Sequence, residues 1–208
     1  MRQLVLATKN LGKIAEFDRL LAEFASDIKV LGLSDYPDMP EVEESGKTLS
    51  ENARLKAKAI SEFTHLPALA DDSGLFIDAL DGQPGIYSAR FSGYTGSDSA
   101  LRDLANINKV LELLINTQDG QRGAQFKSVV AFYKPNKDGT ALEKEELGVL
   151  AGRIISTPRG AGGFGYDPIF SPNEFEQTLA ELSPRVKDEV SHRGIALRAI
   201  APFLRDHL

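Results

Sequence analysis

No cysteine occurs among the 208 residues. That excludes disulfide scaffolding, thiolate-held zinc, iron–sulfur clusters and a cysteine nucleophile. No apolar run approaches the ~20 residues that a membrane helix needs. Residues 4–7 are too short for the apolar region of a secretory signal, and no small-residue cleavage site follows them. The chain therefore reads as cytoplasmic, with no membrane partner. Glycine (18) and proline (10) fall short of a low-complexity signature. Basic charge is also scarce: 24 Lys and Arg face 30 Asp and Glu, for a net charge of −6. A nucleic-acid partner is not expected from such a balance. A small phosphorylated ligand is compatible with it, since a few lysines suffice and a divalent cation can offset carboxylates. What remains is ordinary globular composition, 42% hydrophobic and 26% charged. The length suits one domain over 1–208, or one domain with two lobes.

Short β-like runs alternate with runs of helical period. Residues 3–7 (QLVLA) read as a buried strand. Over 13–24 the apolar positions Ile14, Phe17, Leu20, Leu21 and Phe24 predict a helix. A second strand is expected at 28–31, then a Pro- and acid-rich loop over 36–46. Thr48-Leu49-Ser50-Glu51 has the form of a capping box and opens a helix to about residue 63. A strand at 68–70, a turn at 71–74 and another strand from Leu75 come next. Further helices are expected at 97–115, 174–182 and 191–204, and the longest strands at 124–134 and 147–155. The mixture predicts an α/β fold with a mixed sheet.

Five stretches carry chemistry. Thr8-Lys9-Asn10-Leu11-Gly12-Lys13 joins a strand to a helix, where free N–H groups and the positive dipole end favour a phosphate; a solvated N-cap loop is the plain alternative. Asp71-Asp72-Ser73-Gly74 places adjacent carboxylates that must diverge along a strand, so that one faces a site while the other braces a turn. Glu41, Glu43 and Glu44 read as a solvated acidic loop or as a source of a metal ligand. Asn52 and Lys56 lie one helical turn apart on one face. The glycine-rich run 160–168 carries Phe164, Gly165, Tyr166 and Asp167, which suits a base-stacking pocket with a carboxylate to read a ring N–H. Lys187, Ser191, His192 and Arg193 form a donor cluster near a helix start.

Together these stretches resemble the inosine triphosphate pyrophosphatase family. The matching runs are LATKNLGK (6–13), ENARLKA (51–57), ADDSGL (70–75), PGIYSARFSG (84–93), GGFGYDPIF (162–170) and SHRGIAL (191–197), in the family's order and over nearly the whole chain. The resemblance implies an elongated two-lobed α/β fold around a mixed β-sheet with flanking helices, its active site in the central cleft. It implies a homodimer that requires Mg²⁺ and hydrolyses ITP, dITP and XTP to the monophosphate and pyrophosphate. Carried over by position, residues 8–13 (Thr8, Lys9, Asn10, Leu11, Gly12, Lys13) and Lys56 hold the triphosphate, and Ser73 touches substrate. Glu43 and Asp72 bind the metal, with Asp72 also the general base. Phe164, Gly165, Tyr166, Asp167, Lys187, His192 and Arg193 form the base pocket.

The chemistry that follows is positioning and charge compensation around attack of water at the α-phosphorus. Hypoxanthine and xanthine present an O6 acceptor where adenine presents an amino group, so a donor from Arg193 or His192 would favour them. A pyrophosphatase for other nucleotides and a non-hydrolytic nucleotide-binding module are the competing readings.

Overall fold

The computed structural model describes residues 2–24 and 28–208, without the side chain of Phe24, so the expected apolar role of Phe24 lies outside the described residues. Strand β1 (Arg2–Leu6) leads into helix α1 (Leu11–Phe24), then strand β2 (Ile28–Leu31) and helix α2 (Leu49–Thr64). Strands β3 (Ala68–Ile77) and β4 (Pro84–Gly85) precede helix α3 (Ser99–Leu113). The long strands β5 (Gly123–Pro135) and β6 (Ala141–Ile154) are followed by β7 (Phe170–Pro172), α4 (Pro184–Val190) and α5 (His192–His207).

The sheet runs β2-β1-β3-β5-β6-β7, with β4 paired to β3. It is mixed, as expected: β1 is parallel to both β2 and β3, whereas β3/β4 and β6/β7 are antiparallel. Helices α1, α2 and α3 follow their sequence signals. Phe17, Leu20 and Leu21 bury the apolar stripe of α1. Thr48 caps α2 by accepting the Glu51 N–H at 3.1 Å, while the Glu51 carboxylate reaches back to the Lys47 N–H. Asp98 caps α3 through the N–H groups of Ala100 and Leu101.

Two expectations fail. Residues 71–74 form no turn; they continue β3, because Leu75 and Phe76 pair with Gly85 and Pro84. Gly74 is required there, since a Cβ would meet the Gly85 carbonyl. Residues 174–182 form no helix. The N–H groups of Leu179 and Ala180 donate to the carbonyls of Phe170 and Asp167, which removes them from any helical ladder. The helix starts instead after Ser183, which caps it by accepting from Val186, with Pro184 in the first turn.

The chain divides into two compact units: residues 1–72, 128–148 and 192–208, and residues 73–127 and 149–191. The core of the first contains Leu4, Leu6, Phe17, Leu69, Phe132, Leu197 and Ile200. The core of the second contains Leu75, Ile77, Val110, Phe126, Ile169 and Phe170.

Candidate functional site

In the first unit four elements bring a buried charge network together around β3. Successive strand side chains point to opposite faces, so Asp71 and Asp72 serve different partners. Asp71 Oδ2 accepts from Lys13 Nζ of α1 at 2.8 Å and from Arg193 Nε of α5 at 3.2 Å. Arg193 Nη1 pairs in turn with Glu16, one turn beyond Lys13 on α1. All of Glu16, Asp71 and Arg193 are buried. The two aspartates diverge as expected of neighbours on a strand, and Asp71 is locked to cations rather than bracing a turn.

Asp72 faces α2. Its Oδ1 accepts from Lys56 Nζ at 3.0 Å, and its Oδ2 accepts from Asn52 Nδ2 at 3.3 Å. Lys56 Nζ also donates to Glu44 Oε1 at 2.8 Å. Asn52, fully buried, accepts the Gly46 N–H at 2.8 Å and so ties the acidic loop to the same point. Thus one ammonium gathers two carboxylates from separate segments. Glu44 occupies this position, while Glu43 is exposed.

These placements tune the groups. Burial would raise the Asp71 carboxyl, but Lys13, Arg193 and Lys56 hold it far below the usual carboxylate range. Burial, helped by Glu44, raises the Asp72 carboxyl against the opposing pull of Lys56 and Lys13. Burial lowers Lys13 despite Asp71, with Arg193 and Lys56 adding to the fall. Lys56 is raised, because Asp72, Asp71 and Glu44 outweigh its burial. The two aspartates are therefore pushed apart in basicity, the pattern that separates a structural carboxylate from a proton acceptor.

The loop entering α1 is ordered by its own side chains. Thr8 Oγ1 accepts the Asn10 N–H at 3.2 Å, and Asn10 Oδ1 accepts the Lys13 N–H at 3.1 Å. Asn10 is thus the helix cap. Lys9 and Leu11 are exposed, whereas Thr8, Gly12 and Lys13 are half-buried.

In the second unit the glycine-rich run folds on itself. Asp167 Oδ2 accepts from the Phe164 N–H at 2.9 Å and from Lys187 Nζ at 2.6 Å. The same ammonium lies 4.7 Å from the Phe164 ring centroid, a cation–π distance. Gly163 and Gly165 take left-handed φ values of 72° and 61°, and a Cβ on Gly163 would collide with the Asp167 carboxylate. Asp167, expected to read a ring N–H, spends Oδ2 bracing its own loop. Tyr166 is buried and its hydroxyl donates to the Ser88 carbonyl at 2.9 Å. Burial, and then the Asp103 charge, push that phenol well above its ordinary range. The motif 84–93 therefore acts as scaffold for Tyr166. Ser73, on β3, is half-buried in this unit.

His192 and Arg193 open α5 in the first unit, both buried. The Arg193 nitrogens Nε and Nη1 are engaged by Asp71 and Glu16, so this side chain anchors the carboxylate network. Glu16 is a member that motif reading does not single out; Glu44 is one of three candidate metal ligands there, and Asn52 stands out only for its place beside Lys56. The spacing of Glu16 three residues after Lys13, and of Asn52 four before Lys56, is the signal that carried them. Removing Glu16 should leave the Arg193 guanidinium short of a counter-charge. Glu16→Ala is expected to lose about 3 kcal/mol of stability in urea titration, with Glu16→Gln losing less.

Two carboxylates, Asp72 and Glu44, converge on one cation, and both offer hard oxygen ligands. Among the described residues no group of three or more acidic or histidine side chains is poised to hold a metal ion. That donor set fits Mg²⁺, which commonly takes one or two protein carboxylates and completes its shell with water and phosphate oxygens. Among the described residues, no helix is long and apolar enough to cross a membrane.

Residues 4–203 match the model of the Ham1 family. A dITP/XTP pyrophosphatase of Streptomyces coelicolor is 45% identical over 208 residues, spanning 100% of both chains. One from Geobacter sulfurreducens is 47% identical over 100% of this chain and 97% of its own. Among solved structures, a HAM1 protein from Coxiella burnetii superposes with a TM-score of 0.84 at 40% identity, covering 99% of this chain and 100% of that one. The Ham1 protein of Staphylococcus aureus gives a TM-score of 0.83 at 38% identity, with both chains fully covered. This chain belongs to the Ham1 family.

Proposed function

We propose that the protein hydrolyses non-standard purine nucleoside triphosphates (ITP, dITP and XTP) to the monophosphate and pyrophosphate. The observation that carries this is Lys56 joining Asp72 and Glu44 at one point, beside the Lys13–Asp71 pair. Cations and carboxylates in that proportion suit a polyphosphate and a divalent ion better than either alone. The relatives from Streptomyces coelicolor and Geobacter sulfurreducens are dITP/XTP pyrophosphatases, which supports the choice of base.

In this reading Thr8, the backbone of residues 9–12, Lys13 and Lys56 bind the triphosphate tail. Asp72 and Glu44 hold Mg²⁺, Glu44 taking the role first assigned to Glu43. The ion, when bound, supplies Lewis-acid stabilisation of charge on the phosphate oxygens. Asp72 accepts a proton from water as its oxygen bonds to the α-phosphorus. The bond from that phosphorus to the bridging oxygen breaks, and pyrophosphate leaves against Lys13 and Lys56. Phe164 and Tyr166 present the aromatic surface for the purine, with Lys187 as a donor toward its exocyclic O6. Arg193 acts through Asp71 on the tail-binding lysine. Assignment to the cytoplasm and to a homodimer completes the proposal; the dimer is checked by light scattering on the eluted protein.

The deciding experiment is a panel of ITP, dITP, XTP, GTP, ATP and modified pyrimidine triphosphates with Mg²⁺, resolving products by phosphorus NMR. Monophosphate and pyrophosphate from the oxidised purines are expected. Release of single orthophosphate, a preference for pyrimidines, or nucleotide binding without turnover would overturn the reading.

A further inference from the structure

The aromatic loop cannot hold its own shape, because glycine loses more conformational freedom on ordering than any other residue. Two left-handed glycines, Gly163 and Gly165, flank Phe164, and Gly165 separates it from Tyr166. Something must fix the backbone between the two rings. Most bonds in this run stay within the second unit's own loop segments: the Phe164 N–H to Asp167, and the Asp167 N–H to the Phe164 carbonyl at 3.3 Å. The Gly165 N–H, however, donates to Asp103 Oδ2 of α3 at 2.8 Å.

That same face of α3 holds the neighbouring scaffold. Three residues on, Asn106 accepts the Ser92 N–H at 2.7 Å and donates to the carbonyls of Ser88 and Ala89 at 3.3 Å. The Ser88 carbonyl is also where the Tyr166 hydroxyl donates. Lys109, one turn further, donates to the Phe91 carbonyl at 2.6 Å and sits over the Phe91 ring. Residues 103, 106 and 109 thus form one rail along α3. It grips the backbone at Gly165 and, through Ser88, the far end of Tyr166.

We infer that Asp103 is a positioning residue for purine recognition, fixing the Phe164–Gly165–Tyr166 backbone through its hydrogen bond to the Gly165 N–H. The inference rests on the reading that this loop meets the base. A carboxylate acceptor makes a stronger bond to N–H than a neutral one, and Arg102 Nη2, 3.5 Å from Oδ1, orients the group. Asn retains an acceptor oxygen of the same reach, whereas Ala retains none. The effect belongs to the base end of the substrate and leaves the tail-binding side chains of the first unit unchanged.

The test compares wild type, Asp103→Ala and Asp103→Asn, with steady-state ITP hydrolysis and inhibition by inorganic tripolyphosphate, which carries no base. For Asp103→Ala we expect KM for ITP to rise about tenfold, with kcat and the tripolyphosphate Ki each within about twofold of wild type. Asp103→Asn should restore KM to within about threefold. An unchanged KM in Asp103→Ala, a parallel loss of tripolyphosphate affinity, or an Asn variant as impaired as Ala overturns the inference. Should Asp103→Ala fail to fold, amide exchange in the wild-type protein decides: the Gly165 proton is expected to be protected, and exchange at the unstructured rate overturns the proposal. A wild type that hydrolyses none of the triphosphates defeats the functional reading instead, and the amide measurement then judges the Asp103 contact by itself.

Discussion

Asp72→Asn is expected to slow pyrophosphate release from ITP by about 10²–10⁴-fold, the usual cost of losing a general base, while nucleotide still binds. The amide keeps the shape of the carboxylate and an acceptor oxygen for Lys56, at the cost of the bond that Asp72 Oδ2 accepts from Asn52 Nδ2. It cannot take up a proton. Asp72 is suited to the role because burial and the neighbouring Glu44 make it more basic than a surface aspartate. Asp71, one residue away, is driven the opposite way by Lys13, Arg193 and Lys56. Asp71→Asn should therefore disturb Lys13 and overall stability without reproducing the kinetic signature of Asp72→Asn. The check is a pre-steady-state measurement of pyrophosphate at saturating ITP and Mg²⁺, paired with calorimetric binding. Turnover in Asp72→Asn within threefold of wild type would remove Asp72 from the chemistry.

Lys56→Met should be nearly as damaging, in two independent ways. The methionine keeps most of the apolar stem but deletes the ammonium that holds Asp72 and Glu44 together. Breaking a buried pair by removing one partner costs about 3–5 kcal/mol. The lower end applies here, because the Glu44 side chain is 31% exposed. Turnover should fall by about 10²–10³-fold, the effect typical of losing one preorganised stabilising group at developing charge. Mg²⁺ should then recover part of the lost stability, since a cation that binds the folded state alone shifts unfolding by mass action. Urea titrations of the variant with and without Mg²⁺ read this directly. Identical curves would count against a metal site at Asp72 and Glu44.

Much of the architecture was legible because its signals are local. The apolar stripe of α1, the Thr48–Glu51 box at α2 and the alternation of strand and helix each depend on residues within one or two turns. The failures are equally specific. Asp71 to Gly74 carries every mark of a turn, yet it lies in mid-strand, since Lys13, Lys56 and Arg193 neutralise the carboxylates from other parts of the chain. Residues 174–182 have helical composition, yet the N–H groups of Leu179 and Ala180 are taken by the Phe170 and Asp167 carbonyls. In both places a partner distant in sequence outcompeted a local preference.

By itself the sequence determined the family resemblance, the strand-to-helix order, and the residue types available for polyphosphate and purine: lysines, paired aspartates and a glycine-held aromatic loop. Those are matters of composition and spacing, which a linear chain displays. Only the tertiary structure decided which glutamate shares a lysine with Asp72, that Arg193 braces Asp71 and Glu16, that Asn52 ties the acidic loop to the strand, and that α3 reaches the Gly165 amide. Each of these choices depends on which oppositely charged or hydrogen-bonding atoms burial forces to within about 3 Å of one another, and separations such as those of Arg193 and Asp71, 122 residues apart in the chain, have no periodic trace along the sequence.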